Sequence, residues 1–276
     1  MRPYIDVHVH IGLTINRDPK VGQNTARYMA RMAATGIVAA IIGPTAVGSP
    51  QARGVLDTRE QNETIARACR EFPERFPIGL ALFELRHGDQ GVDELDRALS
   101  EGGLMGVMYH PSGGGIGAEV NPFLEVAAMH SGLCLLHGSP ADTAVLARRF
   151  PGATFLVSAA HQGIDECARL DNCWFEIVQR PKGANALWDL AQVTNVVGRE
   201  RVLFGGDTPY YDYRVVQAQI EAAPVDESLK DRIAYENALA LIRRFRPGWD
   251  LPREPVAPPR AYTVEELFAA RGERLL

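Results

Sequence analysis

The first residues that could carry chemistry are two histidines near the start of the chain. His8 and His10 are separated by one residue at the end of an apolar run that predicts a β-strand over Tyr4–Val9. Because side chains alternate between the faces of a strand, we expect Asp6, His8 and His10 on one face and the intervening apolar side chains on the other. Two imidazoles so placed can bind one metal ion, although two hydrogen-bonded core histidines fit the pattern equally well.

Three more polar residues follow apolar segments at the points where those segments end. They are His137 after Leu133–Leu136, His161 after Ala153–Ala160 and Asp207 after Val202–Gly206. If these segments are parallel strands of one barrel, their ends open onto the same face. One ion there could have three nitrogen ligands and one carboxylate oxygen, a set suited to Zn²⁺. Four isolated core histidines would each need a polar partner, so a shared metal site explains the pattern better.

The elements that must position these residues alternate regularly along the chain. Strands are predicted over Tyr4–Val9, Gly36–Ile42, Pro77–Phe83, Met105–Tyr109, Leu133–His137, Thr154–Ala159, Cys173–Val178 and Arg201–Gly205. Helical periodicity occupies Thr25–Ala34, Arg59–Arg70, Val92–Ser100, Phe123–His130, Ala141–Phe150, Ile164–Leu170, Ala184–Val197, Arg214–Ala222 and Glu227–Phe245. Eight βα units predict an α/β fold of the (β/α)₈ TIM-barrel type. An open doubly wound sheet is the alternative, but the Gly-rich turn expected after its first strand is absent.

The chain length and its last segment define the predicted domains. A length of 276 residues suits one α/β barrel, which we assign to residues 1–246. Prolines crowd the next stretch, and Thr263 with Glu266 forms a capping box that predicts a last helix ending at Leu275. Residues 247–276 are therefore predicted to form a proline-rich C-terminal arm outside the barrel. Its apolar residues could pack across a homodimer or on the arm's own barrel.

The composition excludes several classes of partner and location. The formal net charge of −5 gives no electrostatic reason to bind nucleic acid or an anionic membrane surface. The longest apolar stretches are strand-sized, and polar residues interrupt the first of them, so we expect neither a membrane span nor a secretory signal. Four cysteines without a CxxC pair are typical of a reducing compartment. We expect a cytoplasmic protein that acts on a small molecule.

Several segments together resemble the amidohydrolase-related family, the branch of the amidohydrolase superfamily that includes aminocarboxymuconate-semialdehyde decarboxylase. The matching segments are Ile5-Asp6-Val7-His8-Val9-His10, Gly106-Val107-Met108-Tyr109-His110-Pro111, Leu135-Leu136-His137, Ser158-Ala159-Ala160-His161, Arg201-Val202-Leu203-Phe204-Gly205-Gly206-Asp207-Thr208-Pro209 and Glu236-Asn237-Ala238. They lie in the family's order from about residue 4 to residue 245, which covers the barrel but not the arm. The resemblance specifies the family and not the substrate.

This resemblance implies a ligand set and an acid/base. It implies that the metal ligands are His8, His10, His137 and Asp207, with His161 as a nearby acid/base. Binuclear members carry a lysine at the end of the fourth strand, where this chain has Met108-Tyr109-His110. We therefore expect a single divalent ion, Zn²⁺ being the first choice.

Three further residues are candidates for substrate binding. Strand alternation over Cys173–Val178 places Trp174, Glu176 and Val178 inward and brings Arg180 to the mouth of the barrel. An arginine there could bind a substrate carboxylate through two parallel hydrogen bonds, although pairing with an acidic loop residue is an equal alternative. His110 and Tyr210 are the other two candidates, with structural and packing roles as their alternatives.

The expected function follows from the metal site. A bound ion would convert a water molecule to hydroxide at neutral pH, and Asp207 would accept a proton as the water attacks a carbonyl. His161 would then stabilise the developing charge or protonate the leaving group. We accordingly expect a hydrolase of an amide, ester or lactone in a small, anionic substrate. Non-oxidative decarboxylation of an unsaturated or aromatic carboxylic acid at the same site is the alternative. A non-catalytic ligand-binding barrel is the second alternative.

Overall fold

The computed structural model describes residues 2–12, 23–45, 53–111, 115–157, 163–179 and 189–257. The strands in these ranges are β1 (Tyr4–Ile11), β2 (Ile37–Pro44), β3 (Ile78–Gly79), β4 (Ala81–Leu82), β5 (Gly106–Tyr109), β6 (Leu133–Leu136), β7 (Thr154–Val157), β8 (Cys173–Ile177) and β9 (Val202–Phe204). The helices are α1 (Thr25–Thr35), α2 (Val55–Glu71), α3 (Gly88–Ser100), α4 (Asn121–Met129), α5 (Pro140–Arg149), α6 (Ile164–Ala168), α7 (Leu190–Val197), α8 (Tyr213–Ala222), α9 (Glu227–Asp231) and α10 (Asn237–Phe245).

Local sequence explains how several helices begin and end. The side chain of Asn24 caps α1 by accepting a hydrogen bond from the Arg27 amide, and Gly36 ends that helix in the left-handed conformation. Ser139 caps α5 in the same way, with Pro140 at its first position. Helices such as α1 and α5 return the chain for the next parallel strand.

All strand pairs are parallel and form two runs, β1-β2-β3 and β4 to β9 in chain order. Only Leu80 separates β3 from β4, and its amide donates to Ile42 O at 2.8 Å, so the two form one bent barrel strand. The other gap is bridged after β9, where Asp207 N donates to His8 O and His10 N donates to Thr208 O, both at 2.8 Å. Because β3 and β4 count as one barrel strand, β9 is the eighth, and these bonds join it to β1. The barrel therefore closes, which confirms the predicted (β/α)₈ fold.

Two apolar cores lie on either side of the barrel wall. The outer core joins the strands to the surrounding helices and includes Phe155, Phe175 and Phe204. The inner core fills the barrel interior and contains alternate residues of the same strands, such as Leu156 and Trp174. This alternation confirms the predicted inward direction of Trp174 and the outward direction of Phe175.

The predicted face of Asp6 is wrong. Ile5 and Val7 belong to the inner core, and the pairing of β1 with β2 shifts register between Asp6 and Val9. Asp6 instead accepts hydrogen bonds from Tyr28 of α1 at 3.0 Å and from the Gly206 amide at 2.7 Å. A bulge in β1 thus turns Asp6 away from the barrel interior while His8 and His10 remain inside.

The last part of the described chain closes the barrel at the ends where its strands begin. The single predicted helix Glu227–Phe245 is interrupted by a π-helical turn over Arg232–Glu236, which separates α9 from α10. Leu241 and Ile242 of α10 join the inner core, as does Trp249 beyond it. None of the helices in the described ranges is long and apolar enough to cross a membrane.

The start of the predicted C-terminal arm lies against the barrel. Arg75 donates to the backbone oxygens of Glu254 at 2.6 Å and Pro255 at 3.3 Å, and Val256 is buried in the outer core. The predicted helix from Thr263 to Leu275 lies outside the described residues. The division between a barrel over residues 1–246 and an arm over 247–276 therefore stays a prediction.

Candidate metal centre

Four residues from three parts of the barrel wall meet at the carboxyl ends of the strands. His8 and His10 lie in β1, His137 follows β6, and Asp207 follows β9. One side-chain nitrogen or oxygen from each of them lies within 4.8 Å of all the others. We call these four residues the metal-site cluster. The described part of the chain contains no second such group of histidine, cysteine or acidic side chains.

The separations within the cluster are those of ligands around one ion. His8 Nε2 lies 3.1 Å from both His10 Nε2 and His137 Nε2. Asp207 Oδ1 lies 3.2 Å from His10 Nε2 and 3.6 Å from His8 Nε2. In a tetrahedral site with metal–ligand distances of about 2.0–2.1 Å, neighbouring ligand atoms are about 3.3 Å apart. The donor set and its spacing therefore fit a divalent cation.

The hydrogen bonds of the rings leave one nitrogen of each ring free to bind a cation. His10 Nδ1 faces Pro44 O at 2.8 Å and His137 Nδ1 faces Tyr109 O at 3.2 Å. A carbonyl oxygen can only accept, so each Nδ1 carries a hydrogen and the Nε2 of the neutral ring is an unprotonated acceptor. His8 Nδ1 likewise faces an acceptor. When all three rings are neutral, the lone pairs of the cluster therefore point at one another and at a carboxylate, an arrangement that positive charge stabilises.

The acceptor that His8 Nδ1 faces is the carboxylate of Glu176, and both side chains are fully buried. His8 Nδ1 lies 2.8 Å from Glu176 Oε1, and the exposed fraction is 0% for each side chain. Burial opposes the charged form of His8, but the carboxylates of Glu176 and Asp207 outweigh it and raise the pKa of His8 to about 9. The same two carboxylates would stabilise any positive charge placed between the rings.

The other cluster members show complementary electrostatics. Burial disfavours ionisation of Asp207, but the neighbouring His8 and His10 more than compensate and lower its pKa to about 2. Burial and the nearby positive charge hold the pKa of His137 well below its usual value. An ionised carboxylate beside a neutral imidazole is the protonation state that metal binding requires.

Backbone conformation at Asp207 also distinguishes the site. Its φ of 45° lies in the left-handed region, which few residues other than glycine adopt. The Asp207 amide donates to His8 O, so the chain turns sharply where β9 meets β1. Such strain is found at positions where the surrounding structure holds a functional side chain in place.

Two of the predicted substrate-binding residues lie beside the cluster. The His110 ring stacks on the His137 ring with centroids 4.6 Å apart, and Tyr210 packs edge-on against His10 at 5.1 Å. The Tyr210 hydroxyl is buried and forms no hydrogen bond within the described residues. His161 and Arg180, the remaining candidates, lie outside the described residues, so their roles stay predictions.

Met108 is the first of the three residues Met108-Tyr109-His110 that stand at the end of the predicted fourth strand. Met108 is fully buried in the inner core, where it packs against Gly43. A Cβ atom on Gly43 would lie only 2.7 Å from Met108 Sδ, so a side chain at either position depends on the other. A thioether offers no oxygen ligand to a metal ion, and the expectation of a single ion stays a prediction.

A known protein family matches most of this chain. Residues 5–244 match the sequence profile of a family described as amidohydrolase. No curated protein sequence matches the chain at a significant level.

Solved structures provide a second comparison. The fold is similar to 2,6-dihydroxybenzoate decarboxylase from Rhizobium, with 16% identity, a TM-score of 0.69, and 89% of this chain and 100% of that chain covered. It is also similar to 5-carboxyvanillate decarboxylase from Sphingomonas paucimobilis, with 15% identity, a TM-score of 0.68, and coverages of 88% and 99%. A dihydroxybenzoic acid decarboxylase from a Polaromonas species, with bound manganese and the inhibitor 2-nitroresorcinol, has 16% identity, a TM-score of 0.67, and coverages of 89% and 98%. At these identities the likeness establishes the fold.

Proposed function

This chain belongs to the amidohydrolase family, and we propose that it is a metal-dependent enzyme that removes CO₂ from a small aromatic or unsaturated carboxylic acid. The observation that carries the metal dependence is the convergence of three imidazole nitrogens and one carboxylate oxygen at the open end of the barrel. Decarboxylation is supported by the solved structures of similar fold, three of which are decarboxylases of hydroxylated aromatic acids.

We propose that the metal-site cluster holds one divalent ion. Three nitrogen donors and one oxygen donor suit Zn²⁺, and manganese in the Polaromonas enzyme makes Mn²⁺ the second choice. A bound ion of either kind would act as a Lewis acid toward oxygen atoms of the substrate.

The chain's own residues would then deliver one proton to the substrate carbon that loses CO₂. Cleavage of the bond to the carboxylate carbon leaves its electron pair on the neighbouring carbon, and a proton must take the place of CO₂. Asp207 is 13% exposed, and because its lowered pKa leaves it ionised at rest, it would first take up the proton from His161 and then pass it to the substrate carbon. His161 keeps the acid/base role predicted from the sequence and would exchange the proton with solvent.

Substrate binding is assigned to three residues. His110 and Tyr210 lie against the rings of His137 and His10, so a molecule bound beside the cluster would contact them. Arg180 is proposed to bind a carboxylate or another anionic group of the substrate. These assignments make a planar, anionic molecule the best candidate.

Hydrolysis is the second candidate, and the same cluster supports it. Asp207 would take the proton of an attacking water in place of donating one to carbon. The sequence alone favours this reaction over decarboxylation, whereas the similar solved structures favour the reverse order. A non-catalytic barrel would bind metal or ligand and turn over neither class of substrate.

Substrate panels distinguish these three functions. The purified protein, loaded separately with Zn²⁺ and Mn²⁺, is assayed for CO₂ release from hydroxylated benzoates and dienoic acids, and for hydrolysis of esters, lactones and amides. We expect CO₂ release with loss of one carboxylate and gain of one hydrogen in the product. Hydrolysis without CO₂ release would establish the second candidate, and metal binding without either reaction would establish the third.

A variant tests the role of His161 within this function. His161→Asn is expected to keep most of the bound metal and to lose most of the turnover, because the residue is proposed as an acid/base beside the ion. Metal content and CO₂ release are measured on the same sample. Loss of metal from this variant would make His161 a ligand and would overturn its assigned role.

A further inference from the structure

The histidines of the metal-site cluster differ in what holds their second ring nitrogen. His10 and His137 face the backbone oxygens of Pro44 and Tyr109, whereas His8 faces the carboxylate of Glu176. A hydrogen bond to a carboxylate is charge-assisted and roughly twice as strong as one to a neutral oxygen. His8 is also the ring whose Nε2 is adjacent to both other Nε2 atoms. The carboxylate therefore acts on the ring that joins the cluster together.

Among the described residues, Glu176 has no hydrogen-bond partner other than His8 that would explain its burial. Its second oxygen, Oε2, is buried and has no hydrogen-bond partner among the described residues. On the same face of β8 the preceding inward residue is Trp174, which belongs to the apolar inner core. An unpartnered carboxylate oxygen inside a barrel is unfavourable for folding, so the contact with His8 is the one favourable interaction found for this side chain.

Gly205 provides the space that Glu176 occupies. A Cβ atom at position 205 would lie 2.4 Å from Glu176 Oε2 and 2.8 Å from Val178 Cγ1. The φ of Gly205 is not in the left-handed region, so its backbone conformation does not require glycine. The absence of a side chain at this position is therefore explained by room for the carboxylate.

We propose that Glu176, in the space left by Gly205, is a positioning residue that sets the affinity of the metal-site cluster for its ion. By accepting the Nδ1 hydrogen of His8, the carboxylate fixes the ring tautomer and directs the unprotonated Nε2 toward the ion. Its negative charge also makes the imidazole a stronger donor. This inference rests on the proposed metal site and concerns a residue that contacts neither ion nor substrate.

The test measures dissociation constants for Zn²⁺ and Mn²⁺ by competition with a chelator. Glu176→Gln keeps the size of the side chain but removes its charge, and we expect its dissociation constants to rise about 10–100-fold. Glu176→Leu removes the acceptor as well and is expected to lose at least as much. Glu94→Gln is the matched control, because Glu94 is a buried carboxylate of α3 with partners in α2 and α3. Its metal affinity should equal that of the wild type.

A second pair of variants tests the role of Gly205. Gly205→Ala is expected to weaken metal binding to the same degree, because the new methyl group displaces the carboxylate. In a Glu176→Ala background the same change should add no further loss, since the group it displaces is already gone. Additive losses would mean that Gly205 acts independently of Glu176 and would refute this part of the proposal.

A spectroscopic readout separates positioning from general support of the fold. In the Zn²⁺-loaded protein, ¹⁵N chemical shifts should show His8 protonated at Nδ1, and Glu176→Leu should alter that ring while circular dichroism stays unchanged. Equal metal affinity in wild type and Glu176→Gln would overturn the positioning role. If the wild type itself bound neither ion, the proposed metal-dependent function would fail, which is a separate result.

Discussion

The two ends of the barrel interior are made by the same strands from opposite kinds of residue. In β1, Ile5 and Val7 belong to the apolar inner core, and His8 and His10 follow them toward the carboxyl end. In β8 one inward-facing residue is the apolar Trp174, and the next, two positions later, is the charged Glu176. Packing and chemistry are thus separated along each strand, and a substitution should affect one with little change in the other.

The two ends also differ in their access to solvent. Where the strands begin, α10 covers the interior with Leu241 and Ile242, and Trp249 packs beside them. At the other end His8 and His10 are buried, whereas His137 and Asp207 of the cluster remain partly exposed. In the part of the chain that the structure describes, the cluster is therefore accessible at the end where His137 and Asp207 lie. The first two of the following substitutions test whether the two ends are independent.

The largest expected effect comes from removing a ligand. His8→Ala should leave the protein without bound metal and lower turnover at least about 1,000-fold, because the several kcal/mol supplied by a Lewis acid are lost. Elemental analysis and the CO₂-release assay measure the two effects. His130→Ala is the control, since His130 lies at a partly exposed surface position beside Asp96. Unchanged metal content in His8→Ala would contradict the proposed ligand set.

The second substitution is made at the apolar end of the barrel interior. Leu156 of β7 is fully buried in the inner core, so Leu156→Ala should lower the free energy of unfolding by about 2–5 kcal/mol. Urea denaturation measures this loss, and Val145→Ala at an exposed position should change it by less than about 0.5 kcal/mol. Metal affinity is expected to stay at the wild-type value. A parallel loss of affinity would show that the two ends are coupled.

A smaller effect is expected from a carboxylate outside the barrel wall. Burial opposes ionisation of Glu94, but hydrogen bonds from Arg97 and Arg59 outweigh it and hold the pKa of Glu94 below its ordinary 4.5. A lowered pKa stabilises the folded state above that ordinary value and loses its effect as the pH falls through the folded-state value. Glu94→Gln should therefore lower the free energy of unfolding by about 1–3 kcal/mol at pH 7.

This difference between wild type and Glu94→Gln should shrink as the pH falls below 4.5. Denaturation curves recorded from pH 7 down to the acid range measure it. Glu101→Gln, which changes an exposed carboxylate just after α3, should show no comparable difference. A gap that persists at low pH would mean that the hydrogen bonds act through geometry and not through charge.

Much of the fold could be predicted because its signals are local. The strand predicted over Cys173–Val178 is observed as Cys173–Ile177, since alternation and apolar content reside in the segment itself. The predicted strand Pro77–Phe83 appears as two short strands around Leu80 for a non-local reason, the pairing of its halves with different neighbours. The bulge that turns Asp6 outward depends in the same way on the register between β1 and β2.

The candidate site was predictable to the extent that its side chains end strands. His137 and Asp207 follow apolar runs, and the parallel barrel alone brings them to His8 and His10. No sequence pattern marks the groups that fix the ring tautomers, because Pro44 O and Tyr109 O are backbone atoms that every residue type carries. The inward direction of Glu176 followed from alternation, but its partner could be identified only in three dimensions.

The smallest expected effect tests a residue at the border between the two kinds of environment. The Tyr210 ring packs on His10, and its hydroxyl is buried without a hydrogen-bond partner in the described chain. Tyr210→Phe keeps the ring contact and removes only the hydroxyl, so metal affinity should not change. If the hydroxyl binds substrate, KM should rise by up to about tenfold with kcat little altered, the effect of one neutral hydrogen bond. The free energy of unfolding should stay constant or rise slightly, because an unpartnered polar group is removed. Steady-state kinetics and urea denaturation of the same preparation measure both, and an unchanged KM would restrict Tyr210 to packing against His10.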